Sequence, residues 1–142
     1  MSENKDVVFW KDQFPKDKFF ETEKGILYCK DNIEILSKFP SRCFDLIVID
    51  PPYEEEALKE DLICILKRIM KDYANIYIWC GIGEKSQTLI DWFLKLKKYF
   101  HFKDLITWKK QRGLGNKKGW LYVREEIMWF IKNKNFIWRR ES

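Results

Sequence analysis

The chain has 142 residues, 46% of them hydrophobic and 35% charged, which suits one globular domain and excludes a disordered or fibrous chain. No apolar run approaches the roughly 18 residues a membrane helix needs, and the opening stretch "MSENKDVVFWKDQF" holds no signal-peptide core, so a cytoplasmic location is expected. The net charge of +5 is too mild to imply nucleic acid by itself, but it is unevenly placed: residues 109 to 124 hold six basic side chains and no acid, and residues 54 to 61 hold five acids and one lysine.

Residues 1 to 24, mixing charge and aromatics around Pro15, read as an arm that packs on the body formed by residues 25 to 142. "GILYCKDNIEIL" predicts a strand from Ile26 to Cys29, a turn at Asp31-Asn32 and a short helix from Ile33 to Lys38. Phe44 to Ile49 is an apolar run broken only by Asp45, the pattern of a strand buried on both faces. Glu54 to Glu56 are expected to open a helix, where acids suit the N-terminal dipole. Residues 59 to 72 set Leu62, Ile65, Leu66 and Ile69 on one face of an amphipathic helix. "NIYIWC" predicts a second strand over residues 75 to 80, and residues 84 to 98 a second amphipathic helix with Leu89, Ile90, Phe93 and Leu94 inward. "DLITWKK" and "EIMWFIK" read as two final strands joined by the basic, glycine-bearing stretch "QRGLGNKKGWLYVRE". Strands alternating with helices imply an α/β fold with a mostly parallel sheet and a terminal antiparallel pair.

Cys29, Cys43, Cys64 and Cys80 are widely spaced and flanked by apolar residues, and His101 is the only histidine. The expectation is four reduced, mostly buried thiols and no metal site.

Ligands of open α/β sheets bind beyond the carboxyl ends of the strands, and "FDLIVIDPPY" ends a strand with Asp50-Pro51-Pro52-Tyr53. An exocyclic amino group on a nucleobase is a poor nucleophile, because its lone pair is delocalised into the ring. A carboxylate from Asp50 and a backbone carbonyl from Pro51 accepting its two N–H bonds would favour the more nucleophilic, rehybridised nitrogen. Pro51 and Pro52 fix the φ angles of the segment and remove competing donors, and Tyr53 can stack on the planar base. The plainer reading is a strand stop with Tyr53 covering the edge of the core. Gly81-Ile82-Gly83, one strand later, has the layout of a backbone approach to a ligand at a helix N-terminus, or of an ordinary tight turn.

Three blocks, "ILYCKDNIEILSKFP", "FDLIVIDPPY" and "LITWKKQRGLGNKKGWLYVREEIMWFIK", make residues 25 to 132 resemble the DNA N-4/N-6 amino methyltransferases of the β motif order. The resemblance implies a Rossmann-like methyltransferase sheet. It implies catalytic roles for Asp50, Pro51, Pro52 and Tyr53, and S-adenosylmethionine held near Asp31 and Asp50. It implies DNA as partner, met by Trp108, Lys109, Lys110, Arg112, Lys117, Lys118 and Arg124 in a basic loop over residues 109 to 124, with the Asp-first tetrapeptide pointing to a flipped adenine. The family's F-x-G-x-G cofactor loop has no match after these blocks, so the sheet is expected to be incomplete. The chain then reads as half of a split enzyme whose cofactor site a second chain or dimer mate completes, as a truncated relative, or as a fragment. A non-catalytic nucleic-acid-binding subunit and a cytosine or RNA amino methyltransferase are the other readings. Glu125 and Glu126 are expected either to hold the loop through Arg124 or to be solvated at a strand entrance.

Overall fold

The computed structural model describes residues 11 to 81, 87 to 114 and 122 to 139. Two short strands, β1 (Phe20–Glu21) and β2 (Ile26–Leu27), form an antiparallel pair of their own. They are followed by helix α1 (Asn32–Ser37), strand β3 (Phe44–Ile49), helix α2 (Glu60–Ile69), strand β4 (Met70–Cys80), helix α3 (Thr88–Leu96) and strands β5 (His101–Leu114) and β6 (Tyr122–Ile131). The main sheet has the order β3-β4-β6-β5. β3 runs parallel to β4, whereas β6 is antiparallel to both β4 and β5.

The helices cover one face of this sheet. Leu62, Ile63, Leu66 and Ile69 of α2, with Trp92 and Leu96 of α3, pack in one core with Ala74, Ile76 and Ile78 of β4 and Met128 and Phe130 of β6. The inward stripe of α2 thus takes Ile63 in place of Ile65, which is only half-buried. In α3 the expected inward residues Ile90 and Leu94 are 57% and 59% exposed, because the buried stripe runs through Thr88, Trp92 and Leu96. Trp92, the largest fully buried side chain, decides the rotation: turning it outward would cost about 3 kcal/mol of burial.

Several boundaries differ from the sequence expectation. The strand at Ile26 ends at Leu27, and β1 is its only strand partner among the described residues. Helix α2 stops at Ile69, and Met70 starts a strand that was expected only from residue 75. The reason lies across the sheet. Met70 pairs with Phe44 and regular pairing with β3 resumes at Asn75 opposite Leu46; in the irregular stretch between, Lys71 Nζ donates to both oxygens of Asp45 (2.9 Å each) and the Tyr73 hydroxyl donates to one of them (3.0 Å). Glu55–Ala57 form only a 3-10 turn, and the acids in the first turn of α2 are Glu60 and Asp61.

β3 is not buried on both faces: Leu46 and Val48 are 52% and 57% exposed. Among the described residues β4 is the only strand that pairs with β3, so β3 is an edge strand. On the middle strands of that face, Phe136 and Trp138 pack on Trp129 and the Asn75 amide donates to the Ile137 carbonyl (3.2 Å). Phe14 packs on the core, its ring 4.9 Å from that of Phe39 and 5.7 Å from that of Phe44. All four cysteines are free thiols, but only Cys80 is buried; Cys29 and Cys64 are exposed and Cys43 lies between. No helix among the described residues is long and apolar enough to cross a membrane.

Candidate active site

The strand order brings the chemistry-bearing segments to one end of the sheet. Asp50 follows the last residue of β3, Cys80 ends β4 beside it, and Cys80 stands opposite Glu126 near the start of β6. Glu126 in turn faces Thr107 of β5, and Glu125 faces Trp108. Asp50 to Tyr53 and the root of the β5–β6 hairpin therefore share the carboxyl end of β3 and β4.

At this end the Tyr53 hydroxyl donates to Asp50 Oδ1 (3.3 Å). Burial pushes the Tyr53 hydroxyl up to about 12, with the charges of Asp50 and Glu125 adding to it, so it is a protonated donor throughout the neutral range. Asp50, Pro51 and Pro52 line a cleft of about 480 Å³ with Asn32, Glu54, Glu56 and Lys59, and with the apolar Ile49, Ala57 and Leu62. That size lies within the range of small-molecule sites. Glu54 and Glu56 thus face the same cleft as Asp50.

Asp31 caps α1: its Oδ1 accepts from the Glu34 N–H (3.0 Å). Its neighbour Asn32 reaches the cleft wall, a residue sequence reading passed over; the only signal was its adjacency to Asp31. Arg68 of α2 fixes the far end of the same helix, donating to the carbonyls of Phe39 (2.7 Å), Leu36 (3.1 Å) and Ser37 (3.0 Å). The short helix is thereby held at both termini, where unpaired backbone groups need partners.

Lys109, Lys110 and Arg112 belong to β5 and Arg124 to β6, so much of the expected loop is the stem of a long hairpin. Lys117 and Lys118 lie outside the described residues. Trp108 is 53% exposed, with Lys110 Nζ 6.0 Å above its ring. Lys110 is ion-paired with Glu125, and Arg124 Nε lies 3.1 Å from Glu126 Oε1. Glu126 is buried and also accepts from the Thr107 hydroxyl (2.6 Å). Both acids therefore hold the hairpin. The Cys80 thiol donates to the Glu126 carbonyl (3.4 Å), and burial, with the Glu126 charge behind it, pushes that thiol up to about 12. It is a structural thiol and no nucleophile at neutral pH.

Gly81 is used structurally: its N–H donates to Thr88 Oγ1 (2.8 Å) and its carbonyl accepts from the Leu89 N–H (3.0 Å), which ties the end of β4 to α3. Gly83 lies outside the described residues.

No family model matches the chain. It is similar to the Type II methyltransferase M.ScaI of Streptomyces caespitosus, 23% identical over 81% of this chain and 43% of that protein. The Type II methyltransferase M.HpaI of Haemophilus parainfluenzae is 26% identical over 75% and 38%. The DNA adenine methyltransferase YhdJ of Escherichia coli K12 is 28% identical over 87% and 47%. The chain thus spans about two fifths to one half of the length of these relatives. Among solved structures, the M1.HpyAVI complex with S-adenosylmethionine superposes with a TM-score of 0.61 at 20% identity, over 81% of this chain and 59% of that one. The cytosine-N4-specific PvuII DNA methyltransferase does so with a TM-score of 0.67 at 17% identity, over 87% and 54%. The fold is that of the Rossmann-like methyltransferases.

Proposed function

We propose that this chain, kin in sequence and fold to the DNA N-4/N-6 amino methyltransferases, carries the catalytic part of an enzyme that methylates the exocyclic amino group of a DNA base, adenine first among the candidates. The observation that carries this reading is the placement of Asp50 and Tyr53, hydrogen-bonded to each other at the carboxyl end of β3, beside a cleft of about 480 Å³.

The lining of that cleft fits S-adenosylmethionine. Carboxylates of Asp50, Glu54 and Glu56 suit a cationic sulfonium, and the Asn32 amide can both donate and accept. Asn32 and Asp50 would hold the group, with Asp31 positioning Asn32 through its cap on α1. Bound there, S-adenosylmethionine would supply an electrophilic methyl group for transfer to the base nitrogen, with its sulfur as the leaving group. Asp50 accepts one amino N–H, and the Pro51 carbonyl the other. A carboxylate has about four acceptor positions, so the bond from Tyr53 does not exhaust Asp50. Tyr53 offers its ring to a base turned out of the helix, with Trp108 and the basic stem of the hairpin beside the incoming strand.

A second reading, transfer to the cytosine amino group, is favoured by the PvuII likeness and uses the same groups. Both are tested by radiolabelled methyl transfer to duplexes whose amino-bearing targets are only adenine or only cytosine. Asp50→Ala is expected to lower transfer by about 100-fold or more, the scale of losing one transition-state hydrogen-bond partner, while far-ultraviolet dichroism stays unchanged. Undiminished transfer by that variant sinks the catalytic assignment, and preferential labelling of the cytosine duplex reverses the choice of base.

A further inference from the structure

The two ion pairs at the root of the hairpin differ in kind. Glu126 is buried, and its second oxygen accepts from Thr107, so its charge is committed to joining β5 and β6. Glu125 is only partly buried, with 24% of its side chain exposed, and its partner Lys110 is 37% exposed. Glu125 stands opposite Trp108 on the hairpin stem, and its charge reaches Tyr53.

We propose that Glu125 sets the affinity of this end of the sheet for nucleic acid, holding the Lys110 ammonium in the free protein and releasing it to a backbone phosphate when a strand lies across the hairpin. The inference rests on the reading of the hairpin as a DNA contact. A carboxylate and a phosphodiester each carry one negative charge and compete for the same cation. A partly exposed ion pair contributes about 0–1 kcal/mol, so the exchange is close to balanced and readily reversed. The buried pair at Glu126 is not exchangeable in this way: withdrawing Arg124 would leave a charge uncompensated inside the sheet. Glu125 therefore lowers by one the number of cations ready to neutralise phosphate. It also keeps Lys110 over the Trp108 ring, where the ammonium is placed in advance of contact.

The test is fluorescence anisotropy with a labelled duplex oligonucleotide, titrated over a range of salt, for the wild-type chain, Glu125→Gln, Lys110→Gln and the double variant. Glu125→Gln is expected to tighten binding by about 3- to 10-fold and to steepen the slope of log affinity against log salt by about 0.9, the increment for one more neutralised phosphate. In the Lys110→Gln background the same substitution should gain nothing. An unchanged affinity and slope for Glu125→Gln overturns the inference. So does an equal gain with and without Lys110, which would make Glu125 a general repulsive charge with no hold on that lysine. Failure of the wild-type chain to bind the duplex at low salt would instead remove the nucleic-acid reading of the hairpin, and the inference with it.

Discussion

Cys80 illustrates how a single residue's burial becomes a measurable property. Its thiol is held at about 12, well above the ordinary cysteine value, by burial first and the Glu126 charge second. A raised acid favours its neutral form in the folded state. Its contribution is therefore fully present below the unfolded thiol's pKa and is lost as pH climbs from about 9 toward 12. The unfolding free energy should fall in that window with a slope of up to about 1.4 kcal/mol per pH unit from this group. Cys80→Ala should flatten that slope, read by denaturant titration at a series of pH values. A thiol reagent should label the exposed Cys29 and Cys64 in the native chain and reach Cys80 only on unfolding. Native-state labelling of Cys80 would show that the end of β4 is open. Asp50 and Tyr53 were legible at this scale because four consecutive residues carried the signal; Asn32 was not, because no residue type announces that it will line a cleft.

Among the elements, α1 is held in place by side chains outside it. Six residues are too few for a helix to persist alone. It is held by the Asp31 cap and by the Arg68 fork on its last carbonyls. Arg68→Ala should cost about 2 kcal/mol, the range for hydrogen bonds from a charged donor. Asp31→Ala should cost about 1 kcal/mol, with most of it restored by Asp31→Asn, which keeps the capping oxygen. Chemical denaturation measures both. If Asp31→Asn proves as costly as Asp31→Ala, the carboxylate does more than cap. The periodicity of α2 and α3 was readable, but the stripe that turns inward was set by Ile63 and Trp92, which fill the space against β4 and β6. The junction at Ile69-Met70 carries no glycine or proline to mark it; the pairing of Met70 with Phe44 and the bonds from Lys71 and Tyr73 to Asp45 show where the strand begins.

At the scale of the whole molecule, the helices cover one face of the sheet at β4 and β6, and the other face is bare at β3 as well as at Trp108 of β5. Leu46 and Val48, each more than half exposed, mark the bare part. Leu46→Lys and Val48→Lys should each change the unfolding free energy by no more than about 0.5 kcal/mol, as surface positions do, and should lower binding of a hydrophobic dye. Ile76→Lys, one strand inward on the covered face, should be costly. Equal cost at all three positions would mean that the β3 face is closed in solution. The amino-acid sequence by itself determined the strand that ends in Asp50-Pro51-Pro52-Tyr53, the alternation of helices and strands, and the clustering of basic residues over residues 109 to 124. These are local patterns of charge, ring and period. Only the tertiary structure decided that β3 lies at an edge among the described residues, that Ile26-Leu27 pairs with β1 outside the main sheet, and that Glu125 holds Lys110 and Glu126 holds Arg124. Strand order and ion pairing join residues far apart in the chain, and their energies depend on what stands across the gap, which no local pattern records.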